Sequence, residues 1–223
     1  MPTTIPRELM SPLGPAARPL LVAARAFLDA TLTGEWTNRG LQNWFDRHLV
    51  SAGWMPLPLS VHEPGAGSVL LHGAGANEPD PQLAALLGSA RNEVLVALSG
   101  LLETPPDDRF LAGVIYAGRV RRRRLTWGTE WTPNPEPTAP LSAVVLSLLA
   151  ADILAHRDFY EERLAICNIC ARVVFEEGAI ARRRRCAEHT HPTSGMFAIH
   201  SRDHDADEDE DEERDTVEVA KRG

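Results

Sequence analysis

Three cysteines are all that this chain of 223 residues contains, and all three fall between positions 167 and 186. An odd, clustered set makes a poor disulfide framework and a good metal site. It points to a reducing compartment. The N-terminal stretch carries Pro2, Pro6, Pro12, Pro15 and Pro19 and lacks the apolar run of a secretion signal. A membrane span is missing too. The longest uncharged apolar stretch, residues 137–151, contains prolines and is too short for a bilayer. There is no internal repeat. Gly65-Ala66-Gly67-Ser68 and Gly73-Ala74-Gly75 lack the Lys-Ser/Thr pair of a P-loop and the third glycine of a dinucleotide fingerprint, so they read as loop. No serine or cysteine occupies a nucleophile elbow. The expectation left standing is a cytoplasmic, non-enzymatic protein with no membrane partner.

Hydrophobic residues make up 43% of the chain, enough for a packed core. The net charge of -8 is concentrated rather than spread. Residues 202–215 hold ten acids and two arginines, a local net of -8, and almost nothing apolar. Such a stretch cannot fold alone, so residues 201–223 read as a disordered acidic tail. The remainder is close to neutral, with its basic residues bunched in two arginine clusters.

Apolar periodicity predicts four helices. Leu20, Leu21, Ala24, Phe27, Leu28 and Leu32 mark the first, after a flexible lead over residues 1–15. The second fits 37–52, capped by Thr37 or Asn38, with Leu41, Trp44, Phe45, His48 and Leu49 on one face. The third fits 81–102 through Leu83, Leu86, Leu87, Ala90, Val94 and Leu98. The fourth, 141–165, is the most apolar and is expected to form the centre of the core and run directly into the metal site. Residues 68–72 read as a strand or buried turn. Residues 110–116 are apolar and β-prone, so they read as a strand. Leu125, Trp127 and Trp131 would return beside it, with the arginines near the turn.

The metal constellation is Cys167-Asn168-Ile169-Cys170, fifteen residues, then Cys186-Ala187-Glu188-His189. Zinc takes four tetrahedral ligands from thiolate and imidazole, and a C-x2-C turn places two sulfurs on one side of the ion. Val173, Val174 and Phe175, then Gly178 and Ile180, read as a β-hairpin that carries the second ligand pair back to the first. The alternative is three buried thiols, but Cys186 follows four arginines, which is not a core setting. His189 is assigned as fourth ligand on the paired spacing, with His191 close beside it. Four protein ligands leave no open position, so the zinc is expected to be structural.

Arg182, Arg183, Arg184 and Arg185 precede Cys186. On an extended arm they alternate between faces, so two could follow a phosphate backbone. Otherwise they form a solvated face that neutralises the thiolates or the tail. Arg121, Arg122, Arg123 and Arg124 carry the same two readings. Trp127 and Trp131, just beyond, would stack on bases or pack. His156, Arg157 and Asp158 read as polar neighbours of the metal or as solvated charge.

The N-terminal helix with Phe27-Leu28-Asp29-Ala30-Thr31, the helix around Ala90-Arg91-Asn92-Glu93, and the block Cys167-x2-Cys170 with Arg183-Arg184-Arg185-Cys186 resemble the bacterial regulators that carry a CGNR-type zinc finger after a helical sensory domain. After Cys186 this chain reads Ala187-Glu188-His189-Thr190-His191 in place of that signature. The resemblance implies a transcriptional regulator with a DNA-binding finger. The expected architecture is mainly α: a helical domain over 16–165, a zinc-binding β-hairpin unit over 166–200, and the tail. The expected function is regulatory contact with DNA or RNA through the arginine-rich zinc hairpin. A protein-interaction adaptor with a purely structural zinc, engaging a protein partner, is the alternative.

Overall fold

The computed structural model describes residues 18–33, 36–71, 77–126, 128–176 and 185–189. The lead, the tail, Trp127, Gly73, Gly75, Gly178, Ile180, Arg182, Arg183, Arg184 and His191 lie outside the described residues. The chain divides into one unit ending at Cys186 and a second beginning at Ala187. Of the second unit, a single 3-10 turn, Ala187–His189, is described.

The most apolar segment of the sequence becomes the centre of the first unit. Helix α5 (Leu141–Ala155) buries Leu141, Val144, Val145, Leu148, Leu149 and Ile153, and even Ser142, Ser147 and Asp152 are buried. A helix that is apolar all round needs neighbours on every side. These come from α1 (Pro19–Thr33), α3 (Pro81–Leu101), α4 (Arg109–Tyr116), and two hairpins, β1 (Ser60–Glu63) with β2 (Gly67–Leu70) and β3 (Val120–Leu125) with β4 (Gly128–Pro133). Each fully buried leucine in this layer contributes roughly 2–3 kcal/mol of transfer free energy.

Local chemistry sets the helix starts. Thr37 caps α2 (Asn38–Phe45) by accepting the Gly40 N–H at 3.1 Å. The helix continues as a π-helical turn, Asp46–Val50, and closes before Gly53, whose φ of 70° suits glycine. Asp80 caps α3, accepting the N–H groups of Gln82 and Leu83, with Pro81 in the first turn where it loses no hydrogen bond.

Two expectations are corrected. Residues 110–116 are helical, forming most of α4, rather than a strand. Their β-prone composition is overridden by burial at Leu111 and Val114, one helical turn apart, while Ala112, Gly113, Ile115 and Tyr116 face outward. The arginines are therefore not at a turn. They form strand β3 (Val120–Leu125), paired antiparallel with β4 (Gly128–Pro133). The fourth helix does not reach residue 165. His156, at φ -142° and ψ 49°, breaks it after Ala155; a short α6 (Arg157–Arg163) and strand β5 (Leu164–Ile166) follow.

A strand pairing that the sequence reading did not include lies at the metal segment. Strand β6 (Val173–Phe175) pairs back to β5, with Leu164 opposite Phe175 and Ile166 opposite Val173. This pair encloses the C-x2-C turn; the second arm expected for a hairpin after that turn, through Gly178 and Ile180, lies outside the described residues. Alternation splits its two faces. Leu164, Ile166, Val173 and Phe175 pack into the helical core. Ala165 and Val174 cluster with Cys167 and Cys186 on the other side. The expected strand over residues 68–72 appears as β2 (Gly67–Leu70), paired with β1 (Ser60–Glu63) across a turn that needs positive φ at Gly65 and Gly67.

Candidate metal centre and arginine ribbon

The C-x2-C turn is built by its own backbone. The Cys167 N–H donates to the Arg172 carbonyl at 2.8 Å, and the Cys167 carbonyl accepts the Ala171 N–H at 2.8 Å. Ala171 sits at φ 54°, a left-handed conformation that an alanine adopts only when its surroundings hold it there. The result presents Cys167 and Cys170 on one side. Cys186 approaches within 3.8 Å, sulfur to sulfur, of Cys170. The ligand atoms of Cys167, Cys170, Cys186 and His189 all lie within 4.8 Å of one another, so the four can hold one metal ion. None of the three cysteines is in a disulfide. Cys167 and Cys186 are buried; Cys170 and His189 are half-buried.

The surroundings favour thiolate at one sulfur. Burial pushes the Cys167 thiol up, but the backbone N–H groups of Cys186, Cys170 and Ile169, with the Cys170 side chain, outweigh it and bring the pKa to about 6. The Cys170 thiol is raised, first by burial and then by the neighbouring sulfurs, against an opposing backbone hydrogen bond at Arg172. Sulfurs crowded this closely resist ionising together unless a cation shares the site.

One residue at the site carries no local spacing signal. Arg91, on α3, donates from Nη2 to the Ala171 carbonyl at 2.6 Å, across 80 residues of sequence. Burial lowers its pKa and the Cys170 charge opposes that lowering, which puts guanidinium and sulfur within electrostatic reach. Nothing in the local sequence ties Arg91 to the cysteines.

His156 and Asp158 are exposed, and Arg157 pairs with Glu161 and Asp108 at the surface. Arg185 is half-buried and its Nε is shielded, with no hydrogen-bond partner among the described residues.

Arg121, Arg122, Arg123 and Arg124 are all exposed. Strand geometry sends Arg122 and Arg124 to one face and Arg121 and Arg123 to the other. The Arg122 guanidinium lies 5.9 Å from the centre of the Trp131 ring, and its Nη2 is 3.5 Å from the Thr129 hydroxyl. An open recess of about 670 Å³ is lined by Arg122, Arg124, Leu125, Thr126 and Thr129. The ribbon packs on the core through its β4 strand and its base, where Trp131 lies partly against the core. Val120 and Pro133 are buried opposite each other, and Asn134 bonds the Arg119 and Gly118 carbonyls, each at 2.8 Å. Residues 119–133 contain five arginines and one acid, Glu130. Trp131 packs partly against the core, so it holds Arg122 rather than offering a free stacking face.

No helix among the described residues is long and apolar enough to cross a membrane. No family model, curated protein or solved structure matches this chain.

Proposed function

We propose that this is a cytoplasmic zinc-binding regulatory protein that contacts nucleic acid, and that the β3–β4 ribbon makes the contact. The ion is zinc because the donor set is three sulfurs and one imidazole. Four-coordinate zinc with metal–sulfur bonds of about 2.3 Å separates neighbouring sulfurs by about 3.8 Å. The Cys170–Cys186 separation is 3.8 Å, far beyond a disulfide bond. Four protein ligands leave no position for water or substrate, so the ion serves structure and not catalysis.

The observation that carries the nucleic-acid reading is the run of four exposed arginines along strand β3 of a two-stranded ribbon. A core does not require that pattern. Phosphates reward it, because each neutralised phosphate releases a condensed counterion. Both faces present two guanidinium groups, and a two-stranded ribbon is narrow enough to enter a major groove. The resemblance to CGNR-type regulators points the same way, with the contact moved from the finger to the ribbon.

The test is fluorescence anisotropy with labelled duplex DNA and with RNA over a range of salt. Replacing Arg121, Arg122, Arg123 and Arg124 with glutamine should weaken binding and flatten the log–log salt slope, by roughly one unit for each phosphate that is no longer neutralised, with metal content unchanged. If the unmodified protein binds neither nucleic acid at low salt, the reading fails and the adaptor with a purely structural zinc replaces it.

A further inference from the structure

We propose that Arg91 is the counter-charge of the metal centre, a positioning residue that ties the C-x2-C turn to helix α3 and neutralises the anionic zinc–thiolate complex. The inference rests on the zinc reading given above.

Three thiolates, one neutral imidazole and a divalent cation leave a net charge of -1 on the complex. That charge would sit beside Cys167 and Cys186, which are 1% and 2% exposed. A buried charge is tolerated only when it is paired or hydrogen-bonded. The N–H groups that converge on Cys167 supply part of the pairing. They are dipoles, not charges. Among the described residues Arg172 stands in the turn and Arg185 precedes Cys186; Arg91 is the arginine that reaches the turn from helix α3, through its bond to the Ala171 carbonyl.

Arg91 makes that link at a mechanically sensitive place. Its Nη2 bonds the carbonyl of Ala171, the residue in left-handed conformation immediately after Cys170. The N–H of the same Ala171 closes the turn onto the Cys167 carbonyl. The guanidinium therefore holds the peptide that sets the orientation of both first-pair ligands. It also interacts favourably with Cys170. Its Nε is buried and has no hydrogen-bond partner among the described residues. A buried arginine donor left unpaired is unfavourable unless an anion lies nearby. Neighbouring Ala90 and Val94 are fully buried, so the stretch of α3 that carries Arg91 is anchored in the core.

A pure tether and a counter-charge differ in what they require. A tether needs a donor to the Ala171 carbonyl; a counter-charge needs a cation. Arg91→Lys keeps the charge and loses the fork. Arg91→Gln keeps an amide donor and loses the charge. Zinc affinity would be measured for both by competition with a chromophoric chelator, and the iodoacetamide alkylation rate would be followed on the zinc-loaded proteins. Thermal melts of the same samples establish that each is folded. The proposal expects Arg91→Gln to weaken zinc binding by about 10–100-fold, the range for removing a ligand's supporting partner. It also expects faster alkylation, because uncompensated thiolates are better nucleophiles. Arg91→Lys should stay within about threefold of the parent on both readouts, by retaining the charge. Equal losses in the two variants would overturn the counter-charge role, as would unchanged zinc affinity and alkylation in Arg91→Gln. A parent protein that takes up no zinc would instead remove the reading on which the proposal rests.

Discussion

Glu63 caps the central helix through Ser142. Its Oε2 accepts the Ser142 backbone N–H at 2.9 Å and its Oε1 accepts the Ser142 hydroxyl at 2.6 Å, with both residues buried. Helix α5 begins after Pro140, which has no side chain to cap it. A carboxylate from strand β1 does so instead, and it sits favourably at the positive end of the helix dipole. Glu63→Ala strands two buried donors and should destabilise the protein by about 2–3 kcal/mol. Glu63→Gln, which keeps an acceptor, should cost about 1 kcal/mol. Urea unfolding measures both. A loss under about 0.5 kcal/mol for Glu63→Ala would mean that water replaces the cap.

How much of this is legible in the sequence follows from the distance over which each signal acts. Thr37 or Asn38 is readable as the cap of the second helix because capping is local, and the structure places the cap at Thr37. The spacing of Cys167, Cys170, Cys186 and His189 is likewise local, and their ligand atoms converge. Residues 110–116 mislead because their composition is β-prone, whereas their helix depends on the burial of Leu111 and Val114 against elements elsewhere in the fold. The partner of strand β6 escapes a sequence reading because a three-residue strand has no pattern of its own. Glu63 and Arg91 are invisible as functional residues: their partners lie 79 and 80 positions away.

Alkaline pH should expose a second buried cluster. Arg18 pairs with Asp152 at 2.5 Å, and the Tyr160 hydroxyl donates to the same carboxylate at 2.5 Å. Burial, then the charge of Asp152 and its hydrogen bond, push the Tyr160 phenol well above its ordinary value, against the opposing charge of Arg18. The folded state therefore favours neutral tyrosine. Its contribution is fully present below the unfolded pKa of about 10 and is lost as pH rises from there toward the folded value. Tyr160→Phe should be less stable near neutrality by roughly 1–3 kcal/mol, through the lost bond to a charged acceptor. It should also lose less further stability at alkaline pH than the parent. Parallel stability curves above about pH 10 would contradict this.

The fourth ligand can be separated from its neighbour. His189→Ala should weaken zinc binding far more than His191→Ala, because His189 contributes an atom to the four-ligand cluster. Losing one of four ligands opens the site to water and exchange. Chelator competition on the two variants decides it, and equal losses or the reverse order would reassign the ligand to His191.

Metal analysis of freshly reduced, purified protein bears most directly on the account. One zinc per chain is expected, retained through gel filtration, and Cys170→Ser should lose it and loosen the turn between β5 and β6. Folded, reduced protein that holds well under one zinc per chain, and gains no stability when zinc is added, would contradict it.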